Sequence, residues 1–320
     1  MTSFENKKYL RVECTLSTGK FGSVAKDTIV LDGYSVRADI RRSVGFIMGS
    51  LSAKIYGLSA SDLNSLTVTQ WTEGYINRNK IKIIAIDGKM ESIVFYGDII
   101  NAWANYSSMP DVYLEVEAQN HYTKKTDVIP KPSTKECVKK LGNIGPTDVI
   151  SIKDNVPIDK VFQIIADSLC LQYENRSGID MELSNVYLKG SPLDQLSTMH
   201  DFFDIDFYID ETVLAIVPKG TPRVLTNQNS STESGGRIPI ISPKTGLIGY
   251  PTFNGFMAFI NVLYNPEIVF GGKIIVETSV PQANGEWFVM SINHKLDSET
   301  PDGVWYSELM ATRTQNAITK

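Results

Sequence analysis

"GSLSAKIYGLSASDLNSLT", residues 49–67, changes its period halfway along. Up to Tyr56 it alternates. Leu51, Ala53 and Ile55 fall on one parity and Ser52, Lys54 and Tyr56 on the other, the period of a half-buried strand. After Gly57 the pattern becomes helical. Ser59 is placed to cap a helix, and Asp62 follows three residues later, where a carboxylate favours the helix N-terminus. Leu58, Leu63 and Leu66 can then face inward. A short strand, a glycine turn and a helix of one or two turns carry no chemistry of their own. The stretch predicts a device that closes the end of a small barrel.

The flanking sequence supports that expectation. "YLRVECTL" (Tyr9–Leu16) and "YSVRADIRR" (Tyr34–Arg42) alternate, "KIKIIAID" (Lys80–Asp87) reads as a strand, and the "DGK" after it is a hairpin turn signal. Ser92–Ala104 and Val112–Gln119 complete six or seven strands, so residues 1–120 are expected to form a first β-barrel domain. Residues 121–156, with Pro130, Pro132, Gly142, Gly145 and Pro146, read as an irregular connection.

The character changes over residues 157–225. Pro157 sits where a first helical turn tolerates it, and Val161, Ile164, Ile165 and Leu169 make an apolar stripe at helical spacing. A second helix starts with Ser191 as cap, Pro192 first and Asp194 in the first turn, turning Leu193, Leu196, Met199 and Phe203 one way. Asp204–Asp210 and Thr212–Lys219 follow as a hairpin. Two helices on a small sheet predict an α+β middle domain. Residues 226–244 open with "TNQNSSTESGGR" and read as a flexible loop; residues 245–320 return to β pattern as a second barrel domain. The fold class expected is therefore mostly β, with an α+β insert between two β-barrels.

The last β region echoes the first. Lys82-Ile83-Ile84-Ala85 matches Lys273-Ile274-Ile275-Val276, and Pro110-Asp111 matches Pro301-Asp302 at the same offset. Between these anchors both copies read strand, turn, strand, polar insert, strand, although the turn before Glu286 is longer than its counterpart. A shared fold for the two regions is the expectation.

Composition narrows the function classes. The 320 residues, 42% of them hydrophobic, bury enough surface to fold without disulfides or metal. A net charge of −5, from 36 acidic and 31 basic residues, argues against a general nucleic-acid binder. Cys14, Cys137 and Cys170 form no close pair and read as reduced buried thiols. "MTSFENKKYL" has no apolar segment of a signal peptide, and no run of about 18 apolar residues predicts a membrane helix.

Catalytic patterns are missing too. His121, His200 and His294 lie far apart and outside any catalytic motif, and His200 reads as packed or capping. "STGKFGS" (Ser17–Ser23) lacks the spacing of a phosphate loop. The acids of "DIDFYIDE" (Asp204–Glu211) read as the polar face of a hairpin, because Asp204, Asp206 and Asp210 would spread over about 20 Å. Trp71, Trp103, Trp287 and Trp305 suggest interface packing rather than sugar stacking. No catalytic, cofactor-binding or metal residue is assigned, and no enzyme is expected.

Several motifs in order resemble the baseplate or tail hub proteins of tailed bacteriophages and of related contractile injection machines. Ile55-Tyr56-Gly57-Leu58-Ser59 is similar to that family's strand–"Y-N-L-S"–helix element, with Gly57 where asparagine is usual. Val94–Ile99 fits its strand, glycine, strand pair. "GLIGYP" (Gly246–Pro251), Asn265-Pro266, Gly271-Gly272 and Asn284-Gly285 leading to Val289 follow its C-terminal pattern. The resemblance covers most of the chain apart from residues 121–156 and the polar loop. It implies a homotrimeric ring joining a sixfold tail tube to a threefold central spike, two tube-like barrels per subunit, and a lining for the DNA channel. The implied partners are its own copies, the spike, tube and tube-initiator proteins, the tape-measure protein and baseplate wedges, with DNA passing unbound. The implied place is the virion tail, assembled in the host cytoplasm. The alternatives are a tail-tip adaptor with an adhesive role, and a cell-wall hydrolase.

Overall fold

The computed structural model describes residues 7–22, 24–43, 49–67, 78–88, 90–107, 109–120, 149–169, 171–175, 178–209, 213–219 and 238–313. The first β region holds β1 (Lys8–Thr15), β2 (Thr28–Asp32), β3 (Val36–Ser43), β4 (Ser50–Tyr56), α1 (Ala60–Leu66), β5 (Lys80–Asp87), β6 (Met90–Asn105) and β7 (Tyr113–Gln119). A middle unit follows: β8 (Val149–Ile152), β9 (Val156–Pro157), α2 (Ile158–Ser168), β10 (Gln172–Asn175), β11 (Glu182–Leu183), β12 (Val186–Lys189), α3 (Pro192–Phe202), β13 (Ile205–Ile209) and β14 (Val213–Pro218). The last β region holds β15 (Ile240–Ile241), β16 (Leu247–Asn254), β17 (Met257–Leu263), β18 (Lys273–Val276), β19 (Gly285–Ser298) and β20 (Trp305–Thr312). Mostly β with an α+β insert is thus the fold.

The opening stretch folds as its periods dictate. β4 buries Leu51, Ala53 and Ile55, and Gly57 then takes φ +85°, a left-handed turn that glycine makes at no steric cost. Asparagine also tolerates that region, so the exchange seen at this position is physically mild. The Asp62 amide donates to Ser59 Oγ at 3.1 Å, capping α1, whose Leu63 and Leu66 enter the same core as β4. α1 therefore plugs a rolled sheet: one buried cluster gathers inward side chains from every strand β1 to β7, from Leu10 and Val12 through Val36 and Ile40 to Val116.

The two β regions share a single sheet. Its strand order is β16-β17-β20-β19-β3-β4-β7-β6-β5-β1-β2, with β18 on the first half of β19 and β15 on β18. β19 is the joint. It pairs antiparallel with β18 over Gly285–Phe288 and with β3 over Ser291–Ser298 along the same edge, and with β20 along the other.

Five consecutive strands have the same order in both regions: β3-β4-β7-β6-β5 in the first and β16-β17-β20-β19-β18 in the last. Both long strands also slip register in one place, β6 against β7 between Ile99 and Asn101, β19 against β20 between Val289 and Ser291. With these bulges superimposed, Gly97 corresponds to Trp287, and their partners Ile81 and Ile274 correspond to each other. The four-residue sequence match instead sets Ile274 against Ile83. The difference is two residues, one pleat repeat, so inward side chains remain inward.

Several boundaries differ from expectation. Residues 149–156, read as connection, belong to the middle unit, because β8 pairs with β12 and β9 with β11. Ile240–Ile241, read as loop, pairs with β18 and opens the last β region. Pro157 caps α2 rather than starting it. β2 and β10 were not foreseen; each is four or five residues long and is held by one neighbour, β1 or β14.

α3 has the full capping box. Ser191 Oγ accepts from the Asp194 amide at 3.3 Å, and Asp194 Oδ2 accepts from the Ser191 amide at 3.0 Å. Ser191→Ala is expected to destabilise the protein by about 1 kcal/mol. Urea denaturation followed by circular dichroism checks this, and an unchanged midpoint would refute it.

Candidate assembly surface

The seam between β19 and β3 has two different sides. Facing inward lies a buried polar group set between two apolar cores. His294 Nδ1 is 2.7 Å from Ser307 Oγ, and the imidazole meets the Tyr264 ring edge-on at 5.3 Å. Tyr264 shares a hydrogen bond of 2.8 Å with Ser92 of the first β region and meets Trp305 edge-on at 6.0 Å. Arg42 Nη2 donates to the Val94 carbonyl at 2.6 Å, and its own carbonyl accepts from Ser291 Oγ at 3.1 Å. Burial, with the Arg42 charge nearby, pushes the His294 imidazole down to about 3, so it is neutral near pH 7. These contacts bind the two regions to one another as well as to themselves.

Facing outward, the same strands carry polar rows that cross the seam. One row runs Asn261, Glu308, Asn293, Arg41, Ser50, Gln119, Asp98, Lys80, Thr15 and Thr28, ten strands in continuous register. The next runs Tyr306, Lys295, Asp39, Ser52, Glu117 and Asn101, and a third Asp297, Arg37, Lys54, Glu115 and Trp103. Alternation forces this: the residues between them fill the cores, so nearly every second position meets solvent, Asp98 being the buried exception.

The middle unit approaches the last β region closely at Tyr208 and Gly271. Tyr208 of β13 lies 5.9 Å from the Phe270 ring, and Gly271 sits against the Tyr208 ring with φ +74°.

The residues singled out from sequence do not converge. His200 of α3 packs in its own unit, with Nδ1 2.9 Å from the Ile205 carbonyl and 3.2 Å from Asp206 Oδ1. The acids near it do not form the expected alternating polar face: Ile205, Asp206, Phe207 and Tyr208 are all buried, because α3 and the last β region cover both sides of β13. Ser17–Gly22 belongs to the connection between β1 and β2, with Phe21 in the core. Cys14 is buried, which pushes its thiol up to about 12. Trp287 is buried, donating to the Ala283 carbonyl at 2.7 Å, and Trp103 is partly exposed on the third row. His121, Cys137, Cys170, Trp71 and Asp210 lie outside the described residues. Among the described residues no three His, Cys, Asp or Glu side chains are grouped to hold a metal, and no helix is long and apolar enough to cross a membrane.

The family model of baseplate hub gp41 matches residues 9–308. The chain belongs to the baseplate hub gp41 family. It is accordingly a phage baseplate protein with a structural role, as its motif order implied. Solved structures share the fold at low identity. The 43 kDa tail protein of prophage MuSo2 from Shewanella oneidensis has a TM-score of 0.55 at 11% identity, covering 96% of this chain and 99% of that one. A tail protein from Neisseria meningitidis MC58 gives 0.55 at 10%, covering 96% and 97%. The Escherichia coli c3393 protein gives 0.50 at 10%, covering 88% and 74%; it is described as a type VI secretion component with structural similarity to the T4 tail proteins gp27 and gp5. No curated protein sequence matches.

Proposed function

We propose that the chain is the hub itself: three copies form a ring on the tail axis between the sixfold tube and the threefold spike, without enzymatic activity of their own. The observation that carries this reading is the common order of five strands in two regions joined through β19 and β3. Three subunits with two such regions offer six similar faces to a tube and three to a spike. The likeness of c3393, itself described as similar to both gp27 and gp5, supports a place next to a spike. Exposed apolar side chains on the β16–β17 hairpin, Tyr250, Phe256 and Phe259, supply the kind of surface an obligate subunit contact buries. Tube-initiator, wedge and tape-measure proteins are the remaining proposed neighbours, and the virion tail assembled in the host cytoplasm the proposed location. The test is a reconstruction of the assembled tail by electron cryomicroscopy. Three copies around the axis are expected. Six copies, or a position off the axis, would replace this reading with that of a tail-tip adaptor.

A further inference from the structure

We infer that the Asn254–Gly255 step at the tip of the β16–β17 hairpin is a site of spontaneous deamidation, and that the chain's other Asn-Gly step, Asn284–Gly285, is protected by the fold. The modification stands on the chain alone; only its effect on assembly rests on the hub reading above.

The chemistry needs an unhindered backbone nitrogen after the asparagine, a side chain free to turn towards it, and access for water. The Gly255 nitrogen, once hydroxide has taken its proton, forms a bond to Asn254 Cγ. The bond from Cγ to Nδ2 breaks, and the side-chain nitrogen leaves as ammonia. Water then opens the succinimide at one carbonyl or the other, giving aspartate or isoaspartate. Glycine favours the closure because no Cβ crowds the nitrogen or restricts the backbone rotation that the ring needs. The sequence holds two such steps, one after Phe253 and one after Ala283, and marks both alike.

The structure separates them. Asn254 pairs with Met257 at the end of the ladder, and Gly255, at φ +60°, turns the chain back with Phe256. Asn254 is exposed, and no atom outside the chain neighbours lies within 4 Å of where a Gly255 Cβ would stand. Among the described residues the Asn254 side chain has no hydrogen-bond partner. Asn284 is also exposed and Gly285 has the same room, but the Asn284 side chain is tied at both ends. Its Oδ1 accepts from the Thr278 amide at 2.6 Å, and its Nδ2 donates to the Thr278 carbonyl at 3.0 Å. The Asn284 amide donates to the Pro281 carbonyl at 3.2 Å, and Gly285 is paired with Val276. Both side-chain bonds must break before Cγ can turn towards Gly285, which slows that site about tenfold or more. The pair that closes a hairpin tip opens at little cost. The product at position 254 sets a carboxylate, and in isoaspartate one more backbone carbon, among the exposed apolar side chains Phe253, Phe256, Met257 and Phe259. A charge left unpaired in a buried subunit contact opposes that contact.

The test keeps the purified chain warm at mildly alkaline pH, digests samples at intervals under mildly acidic conditions, and follows the peptides carrying each step by mass spectrometry. Aspartate and isoaspartate are expected to accumulate at position 254 about tenfold faster or more than at position 284. The two rates should converge in concentrated urea, where the ties to Thr278 are gone. Equal rates in the folded chain, a faster rate at Asn284, or a gap that persists in urea would each overturn the inference. Asn254→Gln should abolish the fast product and leave the slow one at Asn284 unchanged; a fast product that survives this change would also overturn it. The same measurement on assembled particles tests the consequence. A slower reaction there than in the free chain is expected from a hairpin covered by a neighbouring copy, whereas equal rates refute that covered contact and leave the deamidation site standing.

Discussion

Acidification from pH 7 to about pH 4.5 is expected to weaken the folded chain by roughly 2–3 kcal/mol through His294 alone. The imidazole is fully buried, and burial with the Arg42 charge holds it at about 3, against 6.5 for an ordinary histidine. The unfolded chain therefore takes up a proton near pH 6.5 that the folded chain refuses. The stability contribution is complete above pH 6.5 and falls by about 1.4 kcal/mol per pH unit as pH drops towards 3. Protonating the ring would set a second cation near Arg42 in a buried site where its neighbours are the Tyr264 ring and the Ser307 hydroxyl. Glu308 moves in the same sense but lower down. Burial raises its carboxyl, and hydrogen bonds from Lys295 and Asn293 with the Lys295 charge outweigh that, so it titrates below the ordinary 4.5. Its contribution is lost only at pH values below those that affect His294 first. Urea midpoints of the natural chain and of His294→Gln separate the two. The variant keeps a side-chain amide near Ser307 and should show a flat profile between pH 6.5 and 5. A slope as steep as the natural chain's would refute the assignment.

Legibility followed contact distance along the chain. The period change at Gly57, the Ser59 cap and the Ser191 box were readable because each depends on residues within four positions of each other. The stripe Val161, Ile164, Ile165 and Leu169 was readable for the same reason: Val161, Ile165 and Leu169 are buried and Ile164 is partly buried against the same core. What stayed hidden was long-range. Nothing in "IRRSV" or "INHKL" announces that β3 and β19, about 250 residues apart, hydrogen-bond side by side, since both merely alternate. His294 looked like any lone histidine, and its environment is built from Arg42, Tyr264 and Ser307, brought together only by that pairing. The internal match was found at the right strands but two residues out of register, because "KII" satisfies the pleat equally well at either position. The acids of β13 misled because alternation presumes one wet face, and here the second face is covered by a unit distant in sequence.

Gly271→Ala is expected to cost more than any cap or surface change in this chain, about 3 kcal/mol or more, for two separable reasons. At φ +74° an L side chain is strained by about 1–2 kcal/mol whatever the space around it. In addition, a Cβ there would lie 2.6 Å from the Tyr208 ring, a distance that forces the ring or the backbone to move. The ring has little freedom: Tyr208 is buried, stands beside Phe270, and its strand is paired to β14. The Gly271 amide also donates to the Val289 carbonyl at 2.8 Å, which ties the loop to β19 at its bulge. Displacing Gly271 therefore disturbs a close approach between the middle unit and the last β region. A double-mutant cycle with Tyr208→Ala isolates the steric part. Tyr208→Ala alone loses a buried aromatic, about 3–5 kcal/mol. In the pair, however, the clash is already relieved, so the two losses should fall short of additive by 1 kcal/mol or more while the backbone strain remains. Gly97→Ala is the control for a clash without strain, since a Cβ there meets the Gln119 carbonyl oxygen at 2.7 Å and the Phe95 ring at 2.8 Å with no left-handed φ. It should be insensitive to Tyr208→Ala. Strict additivity of Gly271→Ala and Tyr208→Ala in urea denaturation would mean that the close approach contributes nothing, and that the middle unit is held to the sheet by other contacts.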